Sequence, residues 1–365
     1  MKLAIIGDAL DDQYAGIHVY TLELIEALAR QNSDLELMVV RLHEGRLPDQ
    51  VQEIVLPLGS WPGARIHRLG WQIPKVLRKM GVDAVIEPRH VGPFRLPKSV
   101  KRITVIHDLT WLAFPAFQPF FSRWLQRIIV PGILRRADLI LTNSRFTRLD
   151  LERHFPYCQG KTLEAIPGRD EQFVPRPDPH TLQRLGIRAP YFLFVGTLEP
   201  RKNLIRLLEA YRIFRENESA SIPLVLVGRT GWHLRSFERA YARHPFRADI
   251  IRLGYVSRPE LMTLYTEALG FLYPSLFEGF GLPVLEAFCC GTPVITSDRT
   301  SLREVAGPAA LLVNPEDSQQ IARAMQAIWL DPGLRQKLSR LGLERSRQFS
   351  WDKTAKRLIE AIVSS

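Results

Sequence analysis

Two glutamates, Glu278 and Glu286, stand eight positions apart in the stretch YPSLFEGFGLPVLEAFCCGTPVI (273–295), with Gly279, Gly281 and Pro283 between them. Pro283 suits the first turn of a helix, where its missing N–H costs nothing, and the glycines interrupt any helix that would reach back to Glu278. A helix is therefore expected to start near Leu282 and to close at Gly291. Its first N–H groups lack intrahelical partners and carry the positive end of the helix dipole. Glycines beside such an end let the backbone approach an anion closely, so residues 279–282 read as a phosphate site. Glu278 lies on the loop ahead of that site and Glu286 about one turn into the helix. Each carboxylate can accept from paired hydroxyls, so the two acids read as grips on one long ligand: a sugar on one side of its phosphates and a ribose on the other.

Cations that could neutralise the phosphates occur in VGTLEPRKN (195–203), where an apolar strand ends at Gly196 and Thr197 and is followed by Arg201 and Lys202 at the expected start of the next helix. Adjacent cations there oppose the helix dipole, and a diphosphate would remove the conflict. His107 and Asp108 end the strand RITVIHD, and Gly16 opens a helix after the first strand. No G-x-G-x-x-G is present, which argues against a dinucleotide site. No two aspartates are separated by one residue, and the remaining histidines have no ligand spacing. The phosphate charge then falls to Arg201, Lys202 and the helix start, with no metal and no cofactor expected.

The elements that must position these residues are strands and crossover helices. Strands are expected at KLAIIG, LELMVVRL, DAVIEP, RITVIHD and LILTNS in the first half, and at YFLFVG, PLVLVG, IIRLGYV, GFLYPS, PVITSD and ALLVN in the second. These runs are continuously apolar, the pattern of strands buried on both faces of a parallel sheet. Between them lie helical patterns such as 203–217. The fold class is therefore α/β, with two doubly wound units. The boundary is placed near 166–186, which holds Pro167, Pro175, Pro177 and Pro179. The stretch SWDKTAKRLIEAIVSS reads as an amphipathic helix with Ser350 as its N-cap.

The 365 residues favour two domains, and three cysteines (Cys158, Cys289, Cys290) form neither a disulfide framework nor a zinc site. The N-terminal run breaks at Gly7-Asp8 and reads as a buried strand rather than a signal peptide, so a cytoplasmic protein is expected. The net charge of +11 is local. Residues 60–136 hold 14 Lys/Arg against Asp83, Glu87 and Asp108, a net of 14 − 3 = +11, and the rest of the chain sums to zero. An acidic partner follows, with a membrane surface preferred. The segment 122–136 and Trp71, Trp111 and Trp124 are the residues expected to meet an anionic leaflet at the inner face of the membrane.

Taken together, FEGFGLPVLEA, GTLEPRKN, VIHDL and GTPVITSDRTSLREVAG resemble the retaining glycosyltransferases of family 4, which have the GT-B fold. The resemblance covers nearly the whole chain and is most specific in the C-terminal half. It implies two Rossmann-like domains facing a central cleft: residues 1–170 for the acceptor, residues 171–350 for the nucleotide-diphosphate sugar, and the terminal helix 351–365 packing back on the first domain. It also implies roles for single residues. Arg201 and Lys202 resemble the diphosphate pair, Glu278 the acid that holds the donor sugar, and Glu286 the ribose ligand. Phe280, Gly281 and Leu282 would offer backbone N–H groups, His107 and Gly16 would approach the transferred sugar, and Tyr255 and Val256 would contact the base. Two departures stand out: the first-domain loop reads Ala15-Gly16 where the family often has two glycines, and the interdomain segment reads IPGRDEQF where IPNGVD is usual. The implied activity is a retaining, metal-independent transfer of a hexose such as mannose or glucose. The donor would be a nucleotide sugar such as GDP-mannose or UDP-glucose. The acceptor would be a saccharide or lipid-linked molecule in polysaccharide or glycolipid synthesis. Two other readings of the residues are a sugar-nucleotide epimerase on the same fold and a non-enzymatic binder of anionic lipid or nucleic acid. Nucleic acid is not expected, because the acid pair and the Arg-Lys pair have no role in that account.

Overall fold

The computed structural model describes residues 1–11, 16–31, 35–92, 94–115, 120–218 and 221–364, with 120–125 described by backbone alone. Ala15 and the side chain of Trp124 thus lie outside the described residues. The chain divides into two compact units. The first draws on 1–113, 118–168 and 350–365, the second on 169–349 together with residues from 114 to 117. The chain leaves the first unit after Gly168 and re-enters it at Ser350.

In the first unit the strands are β1 (Lys2–Ile6), β2 (Glu36–Arg41), β3 (Gln52–Val55), β4 (Ala84–Glu87), β5 (Lys101–Ile106), β6 (Leu139–Thr142) and β7 (Thr162–Glu164). They form one parallel sheet in the order β3-β2-β1-β4-β5-β6-β7. Alternate residues of β1 serve two different cores. Leu3 and Ile5 pack with the helix Gly16–Arg30 and with Trp351, Ala355, Leu358 and Ile362, whereas Ala4 and Ile6 pack with Leu69, Ile73 and Leu77 on the opposite face. Helices on both faces explain why these strands are apolar without alternation. β3 and β7 were not anticipated. They are short edge strands whose side chains are only partly covered, so they carry no apolar run.

The second unit contains β8 (Phe192–Val195), β9 (Leu224–Val227), β10 (Ile250–Gly254), β11 (Gly270–Tyr273), β12 (Val294–Ser297) and β13 (Ala310–Val313). They pair in parallel in the order β10-β9-β8-β11-β12-β13. The order reverses beside β8, between β9 and β11, and at such a switch point neighbouring strands send their following segments to opposite faces and open a crevice at the carboxyl edge. The helix Leu282–Cys289 begins at Gly281 and ends before Gly291, as Pro283 and the flanking glycines require. Arg201 and Lys202 sit differently from expectation. They occupy a 3₁₀ turn, Pro200–Lys202, and the helix starts only at Leu204 after Asn203 in the left-handed conformation. The expected conflict between these cations and a helix dipole therefore does not arise.

Candidate active site

Residues from three segments meet at the carboxyl edge of the second sheet. The turn after β8 carries Glu199, Arg201 and Lys202, β11 ends in Tyr273, and the loop that follows β11 carries Glu278. Glu278 is 6% exposed. Its Oε2 accepts from Arg201 Nη1 at 2.6 Å and its Oε1 from Lys202 Nζ at 2.6 Å. Arg201 also donates from Nη1 to the Phe277 carbonyl at 2.9 Å and from Nη2 to Glu199 Oε1 at 2.6 Å. Lys202 donates to the Tyr273 hydroxyl at 2.5 Å and is itself buried. Burial alone would raise the Glu278 carboxyl. Arg201 and Lys202 more than offset it and hold the group down to about 2. Burial pushes the Lys202 ammonium down, with Glu278 opposing. Two cations and two carboxylates thus cancel inside a nearly dry cluster.

The sequence reading gave these residues to a ligand rather than to one another. Glu278 was expected as an open acceptor for sugar hydroxyls, and Arg201 as an open fork for phosphate. Here each binds the other, and Arg201 also binds Glu199, a residue that the spacing argument passed over. The signal for Glu199 was present, since it is the one carboxylate in GTLEPRKN and lies two residues before Arg201.

The glycine turn is built for close approach. Gly281 has φ 105°, and a Cβ there would meet Leu302 Cδ2 at 2.5 Å. The Ser301 hydroxyl lies 2.8 Å from the Glu278 carbonyl and 3.1 Å from that of Phe280, and so holds the loop against the following helix, Thr300–Ala306. Asn203 donates to the Pro274 and Pro315 carbonyls at 3.0 and 2.5 Å and fixes the base of the same loop. Ser301 was inside a motif quoted for its resemblance, but no role could be read from it. Phe280 and Leu282 flank Gly281, and Gly279 follows Glu278, so the glycine turn and the carboxylate that binds both cations share one loop.

Glu286 lies on the helix Leu282–Cys289, where its Oε2 accepts from the Tyr265 hydroxyl at 2.9 Å. Burial pushes its carboxyl up from the usual range, with Tyr265 opposing. Gly196 sits above Lys202, whose Cε would lie 3.7 Å from a Cβ on that glycine, and Thr197 follows it. Gly228 packs directly on Gly196, where an added Cβ would lie 2.1 Å from the Gly196 carbonyl oxygen, and donates to the Gly254 carbonyl at 2.7 Å. Tyr255 and Val256 follow Gly254. Tyr255 is exposed with the Arg229 guanidinium 5.6 Å from its ring, and Val256 is buried. The candidates of the second unit therefore lie along one sheet edge.

Gly16 and His107 belong to the first unit. Gly16 begins the helix Gly16–Arg30, and one turn later Tyr20 meets His107 edge-on with ring centroids 5.0 Å apart. His107 Nε2 donates to the Pro88 carbonyl at 2.9 Å, which leaves Nδ1 carrying the lone pair in the neutral ring. Burial lowers the His107 imidazole below its ordinary value, so the neutral form is favoured. Asp108 accepts from the Thr110 N–H at 2.9 Å and caps the following turn. Among the described residues no cluster of three or more His, Cys, Asp or Glu could hold a metal ion.

A model described as glycosyl transferases group 1 matches residues 183–345, and one described as glycosyltransferase family 4 matches residues 14–168. The O-antigen chain mannosyltransferase B of Escherichia coli is 30% identical over 99% of this chain and 99% of its own length. Among solved structures, the sucrose-phosphate synthase of Thermosynechococcus elongatus superposes with a TM-score of 0.80 at 22% identity, covering 100% of this chain and 98% of that one. Anabaena Alr3699/HepE, solved in complex with UDP-glucose, gives 0.77 at 17% identity and covers 100% of both chains. These superpositions are with GT-B glycosyltransferases and establish the α/β fold of two Rossmann-like domains. The enzyme reading therefore displaces that of a non-enzymatic binder: the chain belongs to the group 1 glycosyltransferases, with a family 4 first domain.

Proposed function

We propose that the protein transfers a hexose, mannose by preference, from a nucleotide-diphosphate sugar to a saccharide or lipid-linked acceptor in the synthesis of a surface polysaccharide. The observation that carries this reading is the Glu278 clamp: a carboxylate held by Arg201 and Lys202 on the loop that ends in the N-terminus of the helix Leu282–Cys289. Mannose is preferred because an E. coli relative that matches end to end is named a mannosyltransferase. In this reading the second unit binds the donor. Its diphosphate lies over the N–H groups of Gly281 and Leu282, beside Arg201 and Lys202. Glu286 faces the ribose and Tyr255-Val256 the base. The first unit binds the acceptor, with His107 and Gly16 near the transferred sugar.

Breaking the glycosidic bond leaves two to three negative charges on the departing nucleoside diphosphate. Prearranged amides and cations stabilise such a charge as it develops and need no reorganisation at that moment. The family resemblance supports retention by front-face attack, in which the leaving phosphate takes the acceptor proton, and no metal is required in that scheme. Glu278 serves the reaction indirectly, by holding both cations in place, and its negative charge also favours an oxocarbenium-like sugar. Peripheral contact with an anionic membrane, supported by the charge asymmetry, belongs to the same reading.

The test is a transfer and hydrolysis assay over nucleotide sugars, run with and without EDTA, with product anomers assigned by NMR. Lys202→Ala is expected to lower kcat by about 10²–10³, the size of one oxyanion donor. Calorimetric binding of the nucleoside diphosphate and a thermal melt on the same variant separate lost catalysis from lost folding. A folded Lys202→Ala protein with normal turnover would remove the basis of the proposal.

A further inference from the structure

The cationic stretch is not one surface. Arg68 is 1% exposed and donates to Asp8 Oδ2 at 2.6 Å inside the first unit. Lys101 donates to the Ile362 carbonyl and Arg102 to the Leu96 carbonyl. Trp111 is 3% exposed and packs in a core with Leu109 and Leu134. These residues, and Trp111 above all, cannot meet a membrane.

Arg127, Ile128, Arg135 and Arg136 are exposed on the helix Phe120–Arg136, and a larger exposed set lies between 57 and 98. Leu58, Trp61, Ile66 and Trp71 are 44%, 52%, 66% and 46% exposed. The rings of Trp61, His67 and Trp71 follow one another with centroids 5.6 and 6.0 Å apart, and the Arg95 guanidinium lies 4.1 Å from the Trp71 ring. Arg65, Lys75, Arg78, Lys79 and Lys98 are exposed alongside. From 54 to 82 the chain contains no Asp or Glu. An aromatic and aliphatic ladder edged by cations, on a stretch of chain free of carboxylates, is matched to a layer that is anionic at its face and apolar beneath. Tryptophan prefers that interface because its ring is apolar and its N–H wet. A neutral polysaccharide would use the rings but has no need of the cations. A second copy of this chain would bring like charge against like.

We infer that the surface of Leu58, Trp61, Ile66 and Trp71, with the exposed arginines and lysines around it, docks on an anionic phospholipid bilayer and lies along it without crossing. Among the described residues no helix is long and apolar enough to cross a membrane. This inference rests on the membrane contact proposed above but not on the donor chemistry of the second unit. A failure to bind lipid would leave the transfer reaction standing, and a failed transfer reaction would leave this surface standing.

The experiment is co-sedimentation of the whole protein with vesicles of phosphatidylcholine alone or mixed with phosphatidylglycerol. Partition is expected only with phosphatidylglycerol and is expected to fall as salt rises. Arg65→Glu and Lys75→Glu are each expected to weaken it by roughly fivefold or more, since one cation near such a surface contributes about that factor. Trp61→Ser with Trp71→Ser should weaken it further at high salt, where charge is screened. All of these positions are exposed, so thermal melts should be unchanged. Leu330→Ser, at an exposed site in the second unit, should partition like the parent. Equal binding to phosphatidylcholine, indifference of both tryptophan and charge variants, sedimentation-velocity evidence that the tryptophans mediate self-association, or capture by a neutral mannan in place of vesicles would each overturn the inference.

Discussion

Glu199 and Glu87 carry the sharpest consequences among single residues. Glu199 occupies one arm of Arg201, so Glu199→Gln weakens that hold and leaves the cluster with one net positive charge. A charge-assisted hydrogen bond contributes about 1.5–3 kcal/mol, so nucleoside diphosphate should bind roughly tenfold tighter or more by calorimetry, at some cost in thermal stability. Glu87 is buried at the end of β4, and burial pushes its carboxyl well above the usual range, with the Arg89 N–H opposing. A folded-state pKa above the unfolded one means that the folded protein holds the proton more tightly. The resulting stability is complete below the unfolded value and is lost as pH rises towards the folded one. Glu87→Gln should therefore flatten the fall in urea stability above about pH 4.5 and raise stability at neutral pH. Glu278 has the opposite sign: its contribution is present above about 4.5 and disappears as pH falls through about 2. At this scale the chemistry was half legible. The types and spacing of Glu278, Glu286, Arg201 and Lys202 pointed to a phosphate-bearing ligand. Their pairing was not visible, because 76 positions separate Lys202 from Glu278 and only the order of β8 and β11 in the sheet brings them together.

Among elements, the loop 274–281 is held from three sides. Asn203 fixes its base, Arg201 the Phe277 carbonyl, and Ser301 the carbonyls of Glu278 and Phe280. Gly281→Ala should strain a left-handed backbone and press on Leu302, at a cost of about 1–3 kcal/mol. It should also lower turnover by displacing the first amides of the helix. Ser301→Ala loses one hydroxyl donor shared between two carbonyls, about 1 kcal/mol, and leaves the backbone angles intact. A kinetic comparison of the two variants therefore separates loop position from loop mobility. The long buried strands were readable because helices cover both faces and every position is apolar. β3 and β7 were not, since an edge strand of three or four half-covered residues has no period to detect.

For the whole molecule, the helix Trp351–Ser364 belongs to the first unit although the chain reaches it only after completing the second. Trp351, Ala355, Leu358 and Ile362 sit in the same core as Leu3 and Leu24, and Thr354 is hydrogen-bonded to the Ile166 carbonyl. Trp351→Ala should cost about 3–5 kcal/mol and lower the melting of the first unit selectively, which calorimetry can resolve. Composition made two domains legible. The exact exit could not be read, because it depends on Gly168 lying against Trp351, where an added Cβ would fall 2.0 Å from the Trp351 nitrogen.

That same exit and return imposes an order of synthesis. On the ribosome, residues 169–349 emerge with everything their sheet requires, while the earlier-made 1–168 still lack one wall of their interior. The later half can thus be finished first, and the opening half waits, partly uncovered, until the final helix has left the exit tunnel. Protease challenge of stalled chains ending at residue 349 or at residue 365, each followed by a linker long enough to clear the tunnel, should find the middle segment resistant in both and the leading segment resistant only in the second.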